Sequence, residues 1–533
     1  MNDFEKIIDA VKALKANDES RKEGKLPSGS YFLNKDDVVC FPRDFGDARR
    51  PYSCDGLILW AYSSGNIKIE ESTFTVTEDF DRGAQPKTAF YFGKAADGEY
   101  IPISVSGVGI NDREKDVERY CVYTDGGAYY IAESENLIGG LKSFVDENKN
   151  VRFDVWVKNK SAKTEKTYIS AYFDLLLKRK PNEGFEDKWY RLVETTDDGF
   201  SIHVTEYLDR TTCLNHYAYV KRVCDKKTYS TTSATNFKGR QHASLPSAKS
   251  LKTGVIDNPK SKTLFTEAGV EADLTPLELK AGESAAITYL VAISDSKEKC
   301  ASHSGSNPQT KREYNDTFGN IPEVNLAGNP YGVSDFAFSS FVRSVMKQTE
   351  FCARSKNYAG ALIGVRDIFQ QLEAALIWIP EYTRKKIVEA LNFIGDDGRA
   401  PRQYSYPDNP SVLPEMDLRE FIDQGVWVIS TVYTYLSFTG DYTILDEVCG
   451  YYKFSGSKVG FSNRRDTVLD HLIAITDFLV SAIDEETGCL RALYGDWNDA
   501  LDGLGKTKDE NKKFGSGVSV MATMQLYKNL GEI

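Results

Sequence analysis

Several common sequence patterns are missing from this chain of 533 residues. It has no basic block with interleaved aromatics, and its 66 Lys and Arg stand against 78 Asp and Glu, a formal net charge of -12. This argues against nucleic acid as a partner, since phosphate contacts need clustered positive charge. No continuous apolar run has the length of a signal peptide or a membrane span. We therefore expect a cytoplasmic protein without a membrane partner.

Cysteine pairs at the spacing of a zinc site are missing as well. The nine cysteines are odd in number and irregularly spaced, and no two stand in a CxxC pattern. Reduced, mostly buried thiols fit this distribution better than a disulfide framework or a structural zinc site. We expect no metal ion and no cofactor.

Aromatic residues are abundant, with 30 Tyr, 28 Phe and 6 Trp. Sugar-binding clefts use aromatic faces against pyranose rings, but β-sandwiches also concentrate aromatics in their strands. The sandwich interpretation is favoured. A chain of this length is expected to form two or three domains.

The first half of the chain has the pattern of an all-β domain. Residues 1–27 contain a short amphipathic helix, and residues 28–302 contain short runs of Val, Ile, Phe, Tyr and Thr that often alternate with polar residues. Residues 150–177 are typical of a hairpin, and residues 274–294 of two strands joined at a Gly-containing turn. We predict a β-sandwich over residues 28–302.

The second half has helical periodicity. Residues 303–333 are rich in Gly, Asn and Pro, which is the composition of a linker. Ser334 is suited to an N-cap, and apolar residues then recur at i, i+3, i+4 and i+7. Further helices are predicted at 367–378, 381–394, 418–439, 464–484 and 516–530. The fold class is therefore multidomain, β then α, with an all-α domain over 334–533.

Four residues suited to chemistry stand together in the segment LYGDWNDALDGLG, residues 493–505. They are Asp496, Trp497, Asn498 and Asp499. Taken alone, the segment is better explained as a polar turn with Asx hydrogen bonds and a packed Trp. Its position after a predicted helix of the second domain favours a functional loop, since such loops carry function.

This segment resembles the catalytic loop of the cellobiose, cellodextrin and chitobiose phosphorylases of glycoside hydrolase family 94, and of the related β-1,3-glucan phosphorylases. The chain order of that family is also similar: a β-sandwich, a helical linker and an (α/α)6 barrel. The resemblance implies that Asp499 is the general acid. It also implies that Trp497 packs against the sugar at the cleaved bond.

A second match is IGVRDIFQQ, residues 363–371, which looks like the family's Gly-aromatic-Arg-Asp element. The resemblance implies that Arg366 and Asp367 hold hydroxyls of the donor sugar. Taken alone, Asp367 is better explained by a favourable interaction with a helix dipole. The downstream motif favours the site.

A third, looser match covers residues 396–427, where relatives carry a loop that faces the acceptor sugar. Asp423 lines up with the first Asp of the family's Ser-Asp-Asp element, which implies a substrate contact. Gln403 is a further candidate, in a stretch where disaccharide enzymes tend to show His and Trp, so the acceptor stays open. Ala361 replaces an Arg of the cellobiose-type enzymes, and Arg354 is offered as a phosphate or donor contact.

One carboxylate suffices for phosphorolysis. An inverting hydrolase needs one carboxyl to protonate the leaving oxygen and another to activate water. Phosphate is already an anion and attacks the anomeric carbon without a base. The resemblance thus implies reversible phosphorolysis of a β-linked gluco-oligosaccharide to a sugar 1-phosphate with inversion, with Asp499 as acid, inorganic phosphate as co-substrate, and a homodimeric parent.

The expected barrel is partial. A complete one needs twelve helices, about six are predicted here, and no equivalent of the family's phosphate-binding His and Thr-Gly element follows Asp499. We expect an N-terminal fragment or a truncated product that is inactive, or nearly so, by itself. His471 precedes the motif on a helical face and is expected to be packed or solvent-facing rather than catalytic.

Two alternatives stay open. An inverting glycoside hydrolase on the same barrel would need a base across the cleft, for which Asp423, Glu415 and Asp417 are candidates. A non-catalytic glucan-binding protein would only hold a chain. The linkage and chain length of the substrate are also left open, because the catalytic acid is the same for β-1,3 and β-1,4 glucans.

Overall fold

The structure is a computed structural model of the chain. It describes residues 2–533 except 42–47, 55, 72–73, 78–85, 112, 180–188, 208–212, 241–242, 265–268, 295, 303–325, 355–361, 378, 407–410, 499–502, 504–505 and 508–512. Only the backbone is described for residues 74, 178–179, 189, 206–207, 214 and 349–354. The chain divides into two compact units, Met1–Lys347 and Gln348–Ile533.

Antiparallel strands make up most of the first unit. They are β1 Tyr31–Phe32, β2 Val38–Cys40, β3 Arg49–Cys54, β4 Leu57–Tyr62, β5 Ile67–Glu71, β6 Phe74–Thr75, β7 Thr88–Ala96, β8 Glu99–Ser104, β9 Glu118–Thr124, β10 Gly127–Glu133, β11 Leu137–Val145, β12 Asn150–Asn159, β13 Glu165–Phe173, β14 Lys178–Arg179, β15 Trp189–Thr196, β16 Gly199–Tyr207, β17 Cys213–Val223, β18 Tyr229–Ser233, β19 Lys262–Leu264, β20 Gly269–Leu279 and β21 Ser284–Ser294. The helices of this part are α1 Asp3–Ala16, α2 Asp18–Gly24, α3 Ala234–Lys238, α4 Lys249–Thr253, α5 Lys297–Ser302 and α6 Asp335–Arg354.

The strands form one large sheet and two smaller ones. The large sheet has eleven strands in the order β1-β2-β9-β10-β11-β12-β21-β17-β16-β15-β19. The two five-stranded sheets have the orders β18-β20-β13-β7-β8 and β14-β6-β5-β4-β3. Their apolar faces meet the large sheet in one core, where Phe90 of β7 lies 5.0 Å from Phe153 of β12, centroid to centroid. The predicted β-sandwich is confirmed.

The predicted hairpin over residues 150–177 is wrong, although both strands exist. β12 pairs with β11 and β21 in the large sheet, whereas β13 pairs with β20 and β7 in a smaller one. β13 is buried on both faces: Ile169 and Phe173 join the central core, and Tyr168 and Tyr172 pack beneath α3 and α4. A short polar turn therefore connects opposite sheets here, and the local sequence does not distinguish that from a hairpin.

The first helix covers the outer face of the large sheet. Its N-terminus carries a capping box between Asn2 and Glu5. Phe4 stacks on Trp156 at 5.3 Å with an interplanar angle of 5°, and meets the edge of Tyr129 at 5.6 Å. α1 therefore buries one apolar stripe against strands that would otherwise face water.

Helix α6 begins where predicted, but its apolar face is not the buried one. Phe341 and Val345 are each 48% exposed. Lys347 is only 3% exposed, and its ammonium group pairs with Asp36 and, at 2.6 Å, with Asp125. Ion pairs outweigh the apolar stripe at this helix, because a buried ammonium group must be neutralised.

Helices dominate the second unit. Its elements are β22 Ile363–Gly364, α7 Val365–Ala375, α8 Pro380–Leu391, β23 Gln403–Tyr404, β24 Met416–Asp417, α9 Gln424–Thr439, β25 Val448–Ser455, β26 Lys458–Thr467, α10 Val468–Ser481 and α11 Val520–Glu532. Three predicted starts are wrong: α9 begins six residues late, α10 begins four residues late because residues 448–467 form the hairpin β25–β26, and α11 begins four residues late, after its N-cap Ser519.

Helix α9 lies at the centre of this unit. Val426, Ile429 and Val432 are buried, and the helix packs against α7, α8, α10 and α11. Phe369 of α7 and Ile475 of α10 complete the same core. The predicted helical domain after the sandwich is confirmed. In the part of the chain that the structure describes, no helix is long and apolar enough to cross a membrane.

Removing the aromatic anchor of α1 tests this packing. We expect Phe4→Ala to lower the free energy of unfolding by about 3–5 kcal/mol, because a buried ring is lost and a cavity remains. Denaturant unfolding followed by near-UV circular dichroism measures it. The matched control is Lys6→Ala on the same helix, whose side chain is 62% exposed and should change little. Equal stability of the two variants would contradict the role of Phe4.

Candidate active site

Three distant segments meet at the N-terminal ends of α7 and α9. Arg366 is the second residue of α7, Asp423 directly precedes α9, and Asp496 lies in the loop between α10 and α11. The Nη1 of Arg366 donates to Asp423 Oδ2 at 3.2 Å and to the main-chain oxygen of Asp496 at 3.1 Å. One guanidinium group therefore joins all three segments that the sequence singled out.

The pair of Arg366 and Asp423 is enclosed by protein. Arg366 is 5% exposed and Asp423 is fully buried. Gln424 accepts a hydrogen bond from the main-chain nitrogen of Arg366 at 3.1 Å and donates to Asp423 Oδ1 at 3.3 Å. Burial raises the pKa of the Asp423 carboxyl above its ordinary value, and the charge of Arg366 opposes that rise.

Asp367 lies beside this pair and is only half-buried. Its Oδ1 is 4.0 Å from Arg366 Nε. The carboxylate also folds over Gly364, where a Cβ atom would lie 1.9 Å from Asp367 Oδ2. Only glycine therefore leaves room for the carboxylate at this position.

Gln403 is brought to the same end of the unit by a small antiparallel sheet. In its register Gln403 lies opposite Gly364 of β22 and Asp417 of β24. The main-chain nitrogen of Val365 donates to the oxygen of Arg402 at 3.1 Å. The half-buried Gln403 therefore neighbours the start of α7, which carries Asp367.

The motif loop is held by hydrogen bonds on both sides. The nitrogen of Tyr494 donates to the oxygen of Glu420 at 2.9 Å, and the nitrogen of Ile422 donates to the oxygen of Gly495 at 3.0 Å. The carboxylate of Asp496 accepts from Ser519 Oγ at 2.7 Å and from the nitrogen of Asn498 at 3.0 Å. The contact with Asn498 is the Asx turn of the structural interpretation, so both interpretations apply at Asp496.

The remaining predicted site residues are less closely placed. Trp497 is 54% exposed and so presents an aromatic surface to solvent. Asp499 lies outside the described residues. Arg354 ends α6, but its side chain is also outside what the structure describes. The roles predicted for these residues stay predictions.

A cleft of about 560 Å³ adjoins the motif loop. Its walls include Arg419, Tyr494, Lys506 and Phe514, and the tip of the hairpin β25–β26. Arg419 and Lys506 lie over the ring of Tyr494, at 5.2 and 4.8 Å from its centroid. The sequence interpretation missed this cleft because the hairpin was not predicted.

The comparison with family models decides the identity of the chain. Residues 79–305 match the glycosyl hydrolase 94 supersandwich domain, and residues 345–533 match the catalytic domain of the glycosyl hydrolase 94 superfamily. The chain belongs to the glycosyl hydrolase 94 superfamily. The two matched domains follow the order sandwich then helices that the structure shows.

Two curated proteins are similar to parts of this family 94 chain. It is 30% identical to solabiose phosphorylase of Paenibacillus borealis over 188 residues, which are 35% of the chain and 21% of that protein. It is 25% identical to N,N'-diacetylchitobiose phosphorylase of Vibrio furnissii over 159 residues, 26% of the chain and 19% of that protein. The chain thus matches about a fifth of the length of either relative.

Solved structures also resemble the family 94 chain. One described as a putative kojibiose phosphorylase from human microbiome covers 85% of this chain and 60% of its own, at 9% identity and a TM-score of 0.43. A putative aldose 1-epimerase of Escherichia coli K12 covers 47% of this chain and 99% of its own, at 9% identity and a TM-score of 0.29.

Neither His471 nor the cysteines offer a metal site in the described part of this family 94 chain. His471 is buried, stacks on Tyr451 at 3.8 Å, and has its two ring nitrogens 2.9 Å from the main-chain oxygens of Thr467 and Gly450. It is therefore packed, which is one of the two expected placements. The described residues contain no group of three or more His, Cys, Asp or Glu that could hold a metal.

Ser519 is a site residue that the sequence interpretation did not single out. Its Oγ donates to Asp496 Oδ2 and accepts from the nitrogen of Ala522 at 3.2 Å, so it caps α11 and fixes the motif loop together. Ser519 lies inside the predicted helix 516–530, so its role as N-cap was missed because the start of that helix was placed four residues early.

Loss of this hydroxyl should destabilise the helical unit. We expect Ser519→Ala to lower the free energy of unfolding by about 1–2 kcal/mol, because the cap and a charge-assisted hydrogen bond are both lost. Thermal or denaturant unfolding measures the change. Ser516→Ala, an exposed serine three residues earlier, is the control and should be neutral. An unchanged Ser519→Ala protein would contradict the double role.

Proposed function

We propose that this chain carries the catalytic loop of a glycoside phosphorylase, which cleaves a β-linked gluco-oligosaccharide with inorganic phosphate and releases a sugar 1-phosphate with inversion. The observation that carries the proposal is the meeting of Arg366, Asp423 and Asp496. It ties the loop that leads to Asp499 to the helix start that presents Asp367. The match to the catalytic-domain model and two relatives named as phosphorylases support the same reaction class.

Each residue has a stated role in this proposal. Asp499 gives its proton to the bridging oxygen as the bond between that oxygen and the anomeric carbon breaks. A phosphate oxygen forms the new bond to the anomeric carbon from the opposite face, so the configuration inverts. The exposed ring of Trp497 packs against the sugar. Asp367 accepts hydrogen bonds from hydroxyls of the donor sugar, and Arg354 contacts phosphate or the donor.

The leaving sugar has a suitable place in the cleft beside Tyr494. The cleft begins next to the motif loop, and its volume of about 560 Å³ is large enough for one or two sugar rings. Arg419 and Lys506 supply donors for sugar hydroxyls. Gln403, beside Asp417 at the neighbouring edge, contributes an amide.

Asp423 and Asp417 fit the role of a hydrolytic base poorly, and Glu415 is the candidate that stays open. A base must reach water, but Asp423 is fully buried and bonded to Arg366. Burial raises the pKa of Asp417, yet hydrogen bonds from Arg419 outweigh burial and hold that pKa below its ordinary value. Glu415 is exposed in an adjoining cleft. Phosphorolysis needs none of these groups as a base, because the nucleophile is already an anion.

The proposal is tested by phosphate dependence and by the acid. The protein, incubated with β-1,3- and β-1,4-linked gluco-oligosaccharides, should release sugar 1-phosphate only when phosphate is present. We expect Asp499→Asn to lower kcat by about 10²–10⁴-fold, the usual contribution of a general acid. Asp477→Asn, at an exposed position on α10, is the matched control and should retain activity.

Each alternative has its own outcome in this assay. Release of free sugar at the same rate without phosphate would indicate a hydrolase. Binding of laminarin or cellodextrins without turnover would indicate a glucan-binding protein. Normal turnover by Asp499→Asn would show that the proton comes from another residue.

The position of Asp367 gives a separate prediction. We expect Gly364→Ala to push the Asp367 carboxylate away and to raise KM for the oligosaccharide about tenfold or more, because one ground-state sugar contact is lost. Steady-state kinetics measure it. Gly531→Ala is the matched control, since a Cβ there meets no atom within 4 Å. An unchanged KM would argue against Asp367 as a sugar ligand.

A further inference from the structure

We infer that Arg366 and Asp423 are positioning residues, which set the main chain of the catalytic loop rather than hold the sugar. The inference rests on the proposed function for its kinetic consequences. Its structural part rests on the hydrogen bonds of Arg366 alone and applies to any reaction of this loop.

Arg366 and Asp423 are enclosed by protein. The side chain of Arg366 is 6% exposed and that of Asp423 is 0% exposed. A residue that binds hydroxyls must present its polar atoms to the ligand, and the side chain of Asp367 is 25% exposed. The two adjacent residues therefore differ in placement: the side chain of Asp367 is partly exposed, whereas that of Arg366 is enclosed by protein.

Arg366 forms a hydrogen bond with the main chain of the motif loop. Arg366 Nη1 reaches the main-chain oxygen of Asp496, 130 residues further along the chain. The carboxylate of the same residue is held by Ser519 Oγ and by the nitrogen of Asn498. Asp496 is therefore fixed from both its main chain and its side chain, three residues before Asp499.

A guanidinium group suits this position better than an ammonium group. A planar guanidinium can serve a carboxylate and a carbonyl oxygen at once in a fixed geometry, whereas an ammonium on a flexible stem cannot hold both with the same precision. Asp423 supplies the opposite charge that makes burial of Arg366 tolerable. Burial raises the pKa of Asp423, as expected for a carboxyl group with so little contact with water.

The consequence is a specific kinetic pattern. A misplacement of about 1 Å at a reacting group can cost about 100-fold in rate. Loss of the two hydrogen bonds from Arg366 Nη1 should therefore lower kcat, while KM for the oligosaccharide, set by residues such as Asp367, should change little. If Arg366 bound the sugar instead, its loss would raise KM and leave kcat unchanged.

The experiment uses two conservative variants, Arg366→Lys and Asp423→Asn, and a matched control. The control is Arg191→Lys in the buried pair of Arg191 and Glu271 in the sandwich unit, where the side chains are 1% and 0% exposed. It imposes the same chemical loss in the other compact unit of the chain. Far-UV circular dichroism and thermal unfolding establish which variants are folded.

Two readouts separate the outcomes. In the assay of sugar 1-phosphate release we expect both variants to lower kcat about 100-fold with KM within twofold, and Arg191→Lys to leave both parameters unchanged. In the purified proteins we also expect both variants to change acrylamide quenching of Trp497, isolated by difference from matched Trp497→Phe proteins. The quenching signal needs no turnover, so it tests the inference even if phosphorolysis is not the reaction.

Three results would overturn the inference. The first is a raised KM with unchanged kcat, which would make Arg366 a sugar ligand. The second is unchanged quenching of Trp497 in folded variants. The third is an equal loss of kcat in Arg191→Lys, which would indicate a general loss of stability. If Arg366→Lys fails to fold, Asp423→Asn still answers the question, because asparagine retains the shape of the side chain.

Discussion

A buried charge pair links the parts of the helical unit on which the proposed chemistry depends. Arg366 and Asp423 come from the starts of two helices that pack against each other in the core. Removing either partner alone would leave an uncompensated charge in a site with almost no access to water, which proteins tolerate poorly. The helix starts and the loop of Asp496 are therefore bound to one another by electrostatics as well as by apolar packing.

Burial also explains why similar carboxylates serve different purposes. Asp423 is enclosed and neutralised by a guanidinium, so it is unavailable to solvent. Asp417 is held in its charged form by arginines, which favours a structural ion pair. Asp367 has a partly exposed carboxylate beside Arg366, whose Nε lies 4.0 Å from Asp367 Oδ1. The burial and the charged neighbours of each carboxylate, more than its residue type, therefore decide whether it can reach solvent.

Local signals in the sequence predicted the elements better than their contacts. Ser334 was predictable as an N-cap because capping depends on a few neighbouring residues. The pairing of β12 and β13 was not, because a polar turn has the same composition whether it closes a hairpin or connects two sheets. Lys347 pairs with Asp36, which lies 311 residues away along the chain, so no short stretch of sequence contains both residues.

In the candidate site, too, short motifs were predictable from the sequence and contacts between distant residues were not. The motif loop and the Arg-Asp element were identifiable from short sequences and a family resemblance. The burial of Arg366 was not, because its partners lie 57 and 130 residues along the chain. The cleft was missed for a related reason: two of its lining residues, Gly456 and Ser457, lie at the tip of a hairpin whose strands contain few uninterrupted apolar residues. Such an element depends on tertiary context more than on propensity.

The hairpin β25–β26 has an evolutionary consequence. Its tip residues lie at the walls of two adjoining clefts, while the ladder from Tyr452 to Ser455 pairs with Lys458 to Phe461 of the hairpin itself. Insertions or deletions at a loop tip are tolerated far more readily than changes in a helical core. A change in hairpin length therefore alters the recess beside Tyr494 and leaves the helical core of the unit as it is.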